Sequence, residues 1–207
     1  MNKVEHNGGD LNLRTIVHTH ELWVLEHIST LEDEKLSIDS PCASWKPPPS
    51  DWIKLNVDAT LSISTTSISV VARDHRGEVL KAWTNNILAS DPTIAEASAI
   101  PWALELAIQE NYLKVIVESD AKICVDNLNG YPEEWSWKIS SLCNNSLDFV
   151  LRFVSCSFCW TKREANTMAH SLARFALHLT SPFCCNKDTL PPSVLETWFK
   201  DVSLGFA

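Results

Sequence analysis

The chain has 207 residues, 45% of them apolar, and a net charge of −9, which suits one domain with a full core plus an arm and excludes a simple electrostatic nucleic-acid binder. No run approaches the roughly 18–20 uninterrupted apolar residues of a membrane span. MNKVEHNGGD lacks the apolar stretch of a secretory signal, so an intracellular setting, nuclear or cytoplasmic, is expected.

Residues 1–44 hold three Lys/Arg against eight Asp/Glu. Their periodicity is weak apart from LWVLEHIST (22–30), which suits a short helix, and they are expected to form a poorly ordered acidic arm. SWKPPPSDW (44–52) follows, a stiff extended segment that marks a domain boundary. The domain proper is expected over 45–203. It opens with three strand-like segments, WIKLNVDA (52–59), TSISVVARD (66–74) and EVLKAWT (78–84). Asp74-His-Arg-Gly77 joins the last two as a hairpin turn, so the three predict an antiparallel meander. The pattern then turns helical at 93–110. A strand (113–119), a helix (120–128), a loop from Tyr131-Pro132, and a helix over about 134–147 come next. A long strand, DFVLRFVSCSFCW (148–160), leads into a last helix at 163–179. This order predicts an α/β fold with a mixed sheet flanked by helices.

Seven cysteines in a chain without a signal argue against a disulfide framework. Cys156 and Cys159 form a CxxC, but positions i and i+3 of a strand point to opposite faces, which fits core or loop roles better than zinc. Trp45, Trp52, Trp83 and Trp102 lie in segments expected to pack.

Three acids need explaining. The helix at 94–108 has only Glu96, Ser98 and Glu105 as polar side chains. A helix apolar nearly all round is buried. Glu96 and Glu105, nine positions apart, lie on opposite sides, so one of them faces the interior. A buried carboxylate must be protonated, paired or bound to a cation. Asp120 closes an apolar strand and opens a helix, where a helix cap is the plain alternative. Asp58 ends the first strand, where a turn cap is equally ordinary. Together the three can converge at one rim of a mixed sheet. Clustered carboxylates of that kind hold hard divalent cations, and a pair of such ions supports phosphodiester hydrolysis.

At these residues the chain resembles the type-1 RNase H domain, in the version found in plant non-LTR retroelements and their reverse-transcriptase-like relatives. The matching pieces, in order, are WKPPPSDWIKLNVDAT, VVARDHRGEVL, AEASAIPWALELA, VIVESDAKICVDNL and KREANTMAHSLAR, with LPPSVLETWFKDV as a family-like tail. The resemblance covers about residues 45–203. It implies a five-stranded mixed sheet, an antiparallel meander followed by parallel strands. It also implies an endoribonuclease that cuts the RNA strand of RNA–DNA hybrids with two Mg2+ (or Mn2+) ions, acting as a monomer. Carried over by motif, Asp58, Glu96 and Asp120 become metal ligands and catalytic residues, and His170 takes the fourth catalytic position, where many members have aspartate. Asn166 and His170, at i and i+4, share a helix face, while Ala165, Met168, Ala169, Leu172 and Ala176 form the buried stripe. His170 is read either as a contributor to the site or as a solvated surface histidine.

The expected substrate contacts are Asn56, Thr60, Ser62, Lys162, Arg163 and Asn166, since a hybrid is recognised largely through groove shape and 2′-hydroxyls. A solvated turn is the alternative for Lys162 and Arg163. Departures from the family pattern bear on activity. Ala59 stands where glycine is usual, and 60–69 lacks glycine altogether. Pro101 should remove a hydrogen bond inside the helix that carries Glu96 and kink it. The basic substrate-gripping insertion and the histidine-bearing loop before the last helix are missing. The competing expectation is therefore a catalytically impaired module kept for nucleic-acid or protein interaction.

Overall fold

A computed structural model of the chain describes residues 44–205; the predicted acidic arm and its short helix, along with Cys42, lie outside the described residues apart from Ser44. Six strands form one sheet in the order β5-β4-β1-β2-β3-β6, with β1 at Ile53–Leu61, β2 at Thr66–Arg73, β3 at Val79–Ile87, β4 at Lys114–Ser119, β5 at Ser155–Trp160 and β6 at Phe183–Cys185. The β1–β2–β3 meander is antiparallel, and β4 and β5 extend it in parallel from β1. The sixth strand corrects the expected five. It pairs antiparallel with β3 through three residues only, too short a run for any period-two pattern to show.

Among the described residues five helices flank the sheet: α1 at Pro92–Gln109, α2 at Lys122–Asn129, α3 at Ser140–Val150, α4 at Thr167–Ala176 and α5 at Pro192–Gly205. Leu55, Val57, Ile68, Val70, Ala72, Val115 and Val117 form one core with α1, α2 and α3. Val71, Val79 and Ala82 form a second core with α4 and α5, joined by Met168, Ala169, Leu172 and Val194. All of β2 is therefore buried. Its small polar side chains are satisfied by close contact with α4, where Ser67 Oγ donates to Ala173 O at 2.6 Å and Ser69 Oγ to Ala169 O at 2.8 Å. The alanines of α4 allow that approach, and every member of its predicted stripe is buried.

Helix α1 starts at a capped end. Asp91 accepts from the Thr93 amide at 2.8 Å and Pro92 sits in the first turn, a standard use of both residue types. α1 runs through Pro101 as one continuous helix, and Glu96 still reaches the other two acids. Burial of Ala95, Ala99, Ile100, Ala103 and Leu104 against the sheet outweighs the ~3 kcal/mol that an interior proline costs. Glu105 is exposed and Glu96 faces inward.

Several boundaries differ from expectation. Strand β1 continues past Asp58 to Leu61, the helix expected at 163–179 spans only Thr167–Ala176 after a 3-10 turn at Arg163–Ala165, and α5 follows it, so that helix is not the last. Two differences are larger. The predicted strand at 148–160 is a strand only from Ser155, because α3 continues to Val150. The apolar run DFVLRFV fits a helix end as well as a strand, and Leu147, Phe149, Val150 and Phe153 pack on the core from that helix end and turn. The helix expected from about 134 starts at Ser140, after a 3-10 turn at Pro132–Glu134. The β2–β3 turn follows the sequence closely. The Asp74 carboxylate accepts from the amides of Arg76 and Glu78, and Gly77 takes φ +73°, a conformation glycine adopts without strain.

Candidate active site

Strands β1 and β4 are parallel neighbours, and their last paired residues are Val57 and Ser119. The next residue on each is an aspartate, Asp58 and Asp120, so the register sets the two carboxylates side by side at one edge of the sheet. The first turns of α1 bring Glu96 to the same edge. One carboxylate oxygen from each of Asp58, Glu96 and Asp120 lies within 4.8 Å of the others.

Burial works against ionisation of this cluster. Asp58 is 1% exposed, and burial, followed by the charge of Asp120, raises its pKa against the lowering effect of a hydrogen bond from His170. Burial, with the charges of Asp58 and Asp120, pushes Glu96 up to about 9, although the Ala59 amide donates to it. Glu96 Oε2 is buried without a hydrogen-bond partner. Such a group is costly unless something fills its coordination. The donor set, three carboxylates with one unpartnered oxygen, fits a hard divalent cation.

Helix α4 supplies the other side of the site. His170 Nδ1 lies 3.2 Å from Asp58 Oδ2, with 23% of the side chain exposed. Arg163, in the 3-10 turn before α4, places Nη2 3.2 and 3.3 Å from the two ring nitrogens of His170 and Nη1 4.0 Å from Asp120 Oδ2. Arg163 is well exposed, and Lys162 is half-buried. Thr60 Oγ1 donates to Asp58 Oδ2 at 3.4 Å. Ser62 is exposed but closes the β1–β2 turn, its hydroxyl donating to Thr65 O and accepting from the Thr65 amide. Of these four residues, Arg163 and Thr60 reach the acidic cluster, Ser62 sits in the β1–β2 turn, and Lys162 directly precedes Arg163.

Asn56 and Asn166 are both fully buried, and their side chains are engaged by protein partners. Asn166 Nδ2 donates to Val57 O at 2.8 Å and to Asp120 Oδ1 at 3.3 Å, and its Oδ1 accepts from Asn56 Nδ2 at 3.2 Å. Several further residues were missed in the sequence: Glu118, Lys54, Arg73, Trp45 and Asp201. Lys54 Nζ donates to Glu118 Oε1 at 2.5 Å, and Glu118 Oε2 accepts from Asn56 Nδ2 at 3.0 Å. The signal was present. Lys54, Asn56 and Asp58 alternate along β1 with Leu55, Val57 and Ala59, so a polar row occupies one face of a central strand. Trp160, at the end of β5, donates from Nε1 to the backbone oxygen of Asp120 at 3.1 Å and pins the loop that carries that aspartate.

Comparison with known proteins places this arrangement. The family model described as reverse transcriptase-like matches residues 56–176, more than half of the chain. Among solved structures, an RNase H1 from the halophilic archaeon Halobacterium salinarum is 18% identical, with a TM-score of 0.56, over 61% of this chain and 97% of its own. The N-terminal RNase H domain of a Mycobacterium tuberculosis protein is 19% identical, with a TM-score of 0.55, over 61% and 93%. A compost-derived RNase H1, solved in complex with an RNA/DNA hybrid, is 22% identical, with a TM-score of 0.53, over 60% and 99%. The fold is thus RNase H-like. No curated protein sequence matches the chain significantly.

Proposed function

Because the chain belongs to the reverse transcriptase-like family, we propose that it is a divalent-metal-dependent endoribonuclease cutting the RNA strand of RNA–DNA hybrids. One observation carries the reading. Three carboxylates from three separate elements meet within 4.8 Å, and one of their oxygens is buried without a partner. Asp58, Glu96 and Asp120 are the proposed ligands. Two Mg2+ or Mn2+ ions held there would supply activation of water and neutralisation of charge at the leaving oxygen.

The remaining roles fall to this chain's own groups. Asp58, on the central strand β1, would help to hold the ions together with Glu96 and Asp120. His170, hydrogen-bonded to Asp58, is positioned to hold or move a proton at the rim. Arg163 and Lys162 offer positive charge to the phosphate backbone, and Thr60 and Ser62 offer hydroxyls toward the groove. No helix among the described residues is long and apolar enough to cross a membrane, and the proposed partner is the hybrid itself, bound by a monomer. The domain is assigned to 45–203.

A second reading, a catalytically impaired RNase H-like module, draws on one specific contact. His170 stands where a fourth carboxylate is usual and pairs with Asp58 at 3.2 Å, which removes one negative group and ties up another. A labelled hybrid incubated with Mg2+ or Mn2+ separates the two. Cleavage by the native chain and none by Asp58→Asn supports the nuclease. Hybrid binding with no cleavage by either supports the module, and equal cleavage by both sinks the assignment of Asp58.

A further inference from the structure

The face of β1 that bears Asp58 also carries a buried polar chain that begins at the far end of the domain. Arg73, at the end of β2, is fully buried. Its Nη1 donates to Asp201 Oδ2 of α5 at 2.7 Å, and its guanidinium lies 3.8 Å from the centre of the Trp45 ring. Nη2 donates to Asn56 Oδ1 at 2.8 Å, and Trp45 Nε1 donates to the same oxygen at 3.0 Å. Arginine and the indole have donors only, so Asn56 must turn its oxygen toward them. Its amide nitrogen then faces Glu118 Oε2 and Asn166 Oδ1. Asn166 is fixed by the same logic, with its oxygen toward Asn56 and its nitrogen toward Val57 O and Asp120 Oδ1. Reversing either amide would set donor against donor at one end and acceptor against acceptor at the other.

We infer that Arg73, Asn56 and Asn166 form a polarised relay that positions Asp120, with Asp201 of the C-terminal helix and Trp45 of the proline-rich lead-in fixing its distal end. This deepens the proposed function, since it rests on Asp120 being a ligand. The relay explains three residue choices. Asparagine at 56 and 166 supplies an acceptor on one side and a donor on the other, which aspartate cannot do. Arginine at 73 reaches Asp201 and Asn56 at once through separate nitrogens, which a lysine point charge cannot reproduce. The buried charges of Arg73 and Lys54 are matched by Asp201 and Glu118, as a buried charge requires. Arg73 Nε is buried without a hydrogen-bond partner, while both of its terminal nitrogens and all polar atoms of Asn56 and Asn166 are paired. Paired interior groups of this kind hold one another in a single orientation, and residues behind metal ligands set ligand geometry.

The test uses the full chain and Mn2+ titrated into metal-free protein, read by calorimetry or electron paramagnetic resonance. Asn166→Ala and the isosteric Asn56→Asp are expected to weaken Mn2+ binding at least about fivefold, within the roughly 10–100-fold range for groups behind metal ligands. Asp201→Asn is expected to weaken it about two- to threefold. Ser67→Ala is the control. It removes a buried bond from β2 to α4 outside the relay and should lower the melting temperature while leaving Mn2+ affinity within twofold. If Asn166→Ala and Asn56→Asp lose melting temperature like Ser67→Ala but keep wild-type affinity, the relay is overturned.

A native chain that binds no Mn2+ would defeat the proposed function instead, and the relay is then judged by melting in EDTA. Asp201 and Asp120 are separated by three relay side chains. Their combined substitution, Asp201→Asn with Asp120→Ala, should depart from the sum of the single shifts by more than about 2 °C. Additivity within that margin, as for independent sites, overturns it.

Discussion

Replacing Glu96 with glutamine should stabilise the metal-free protein, against the usual cost of changing a buried side chain. The Glu96 carboxyl ionises near 4.5 ordinarily and is pushed up to about 9 in the fold, first by burial and then by Asp58 and Asp120. Between those values the folded chain holds a proton that the unfolded chain has released, so stability falls as pH rises through that window. At pH 7 the difference amounts to about 3 kcal/mol, from 1.36 kcal/mol for each tenfold step above 4.5. Glutamine keeps the shape and carries no titratable proton. For a domain of this size each kcal/mol moves the melting temperature by about 2–4 °C, so Glu96→Gln should melt about 6–12 °C above the native chain in EDTA at pH 7. At pH 5 the gain should shrink to about 2–3 °C by the same linkage. Adding Mg2+ should raise the native chain's melting temperature and leave the variant's nearly unchanged. Scanning calorimetry at the two pH values decides it. A variant that melts at or below the native temperature at pH 7, or one whose gain does not depend on pH, would refute the reasoning.

Other substitutions probe separate parts of the account. His170→Asp places a fourth carboxylate beside Asp58 and should tighten Mg2+ binding severalfold by calorimetry while lowering the melting temperature in EDTA, because like charges in one site repel. Arg163→Gln removes an exposed cation at the rim and should raise KM for hybrid severalfold with kcat little changed. The salt slope of hybrid binding should fall by about one. Leu172→Ala, fully buried between α4 and the sheet, should cost about 2–5 kcal/mol by denaturant unfolding without altering Mg2+ affinity in the fraction that stays folded.

Glu96 was legible in the sequence because an ionisable group inside an apolar helix violates burial rules on its own, whereas Asp58, which lies inside β1, and Asp120 each had an ordinary capping alternative. Their convergence was legible only through order, since parallel pairing of β1 and β4 fixes which strand ends are neighbours. The relay was harder to see. Asn56 and Asn166 are polar residues near acids, and nothing local distinguishes a substrate contact from a structural bond. That depends on α4 lying over β1, a tertiary fact. The Lys54, Asn56, Asp58 row was a readable hint, because a central strand with a polar face needs buried partners. Arg73 and Asp201 are 128 positions apart, beyond any local pattern. Pro101 has a real local cost, and the helix that contains it is carried by the burial of its alanines, Ile100 and Leu104 in the core. The run at 148–154 is ambiguous by composition, and only the core contacts of Phe149 and Phe153 make it a helix end and turn.

The central claim is that Asp58, Glu96 and Asp120 together direct water at a phosphodiester of hybrid-bound RNA. It is tested most directly by the ends of the cut RNA. Full-length protein and end-labelled hybrid are incubated in EDTA, then with added Mg2+. The account predicts no cutting in EDTA, cutting of the RNA strand alone once Mg2+ is present, and linear phosphate termini, since water is the nucleophile. Cutting that persists in EDTA, or products ending in a 2′,3′-cyclic phosphate from attack by the RNA's own 2′-hydroxyl, would contradict it.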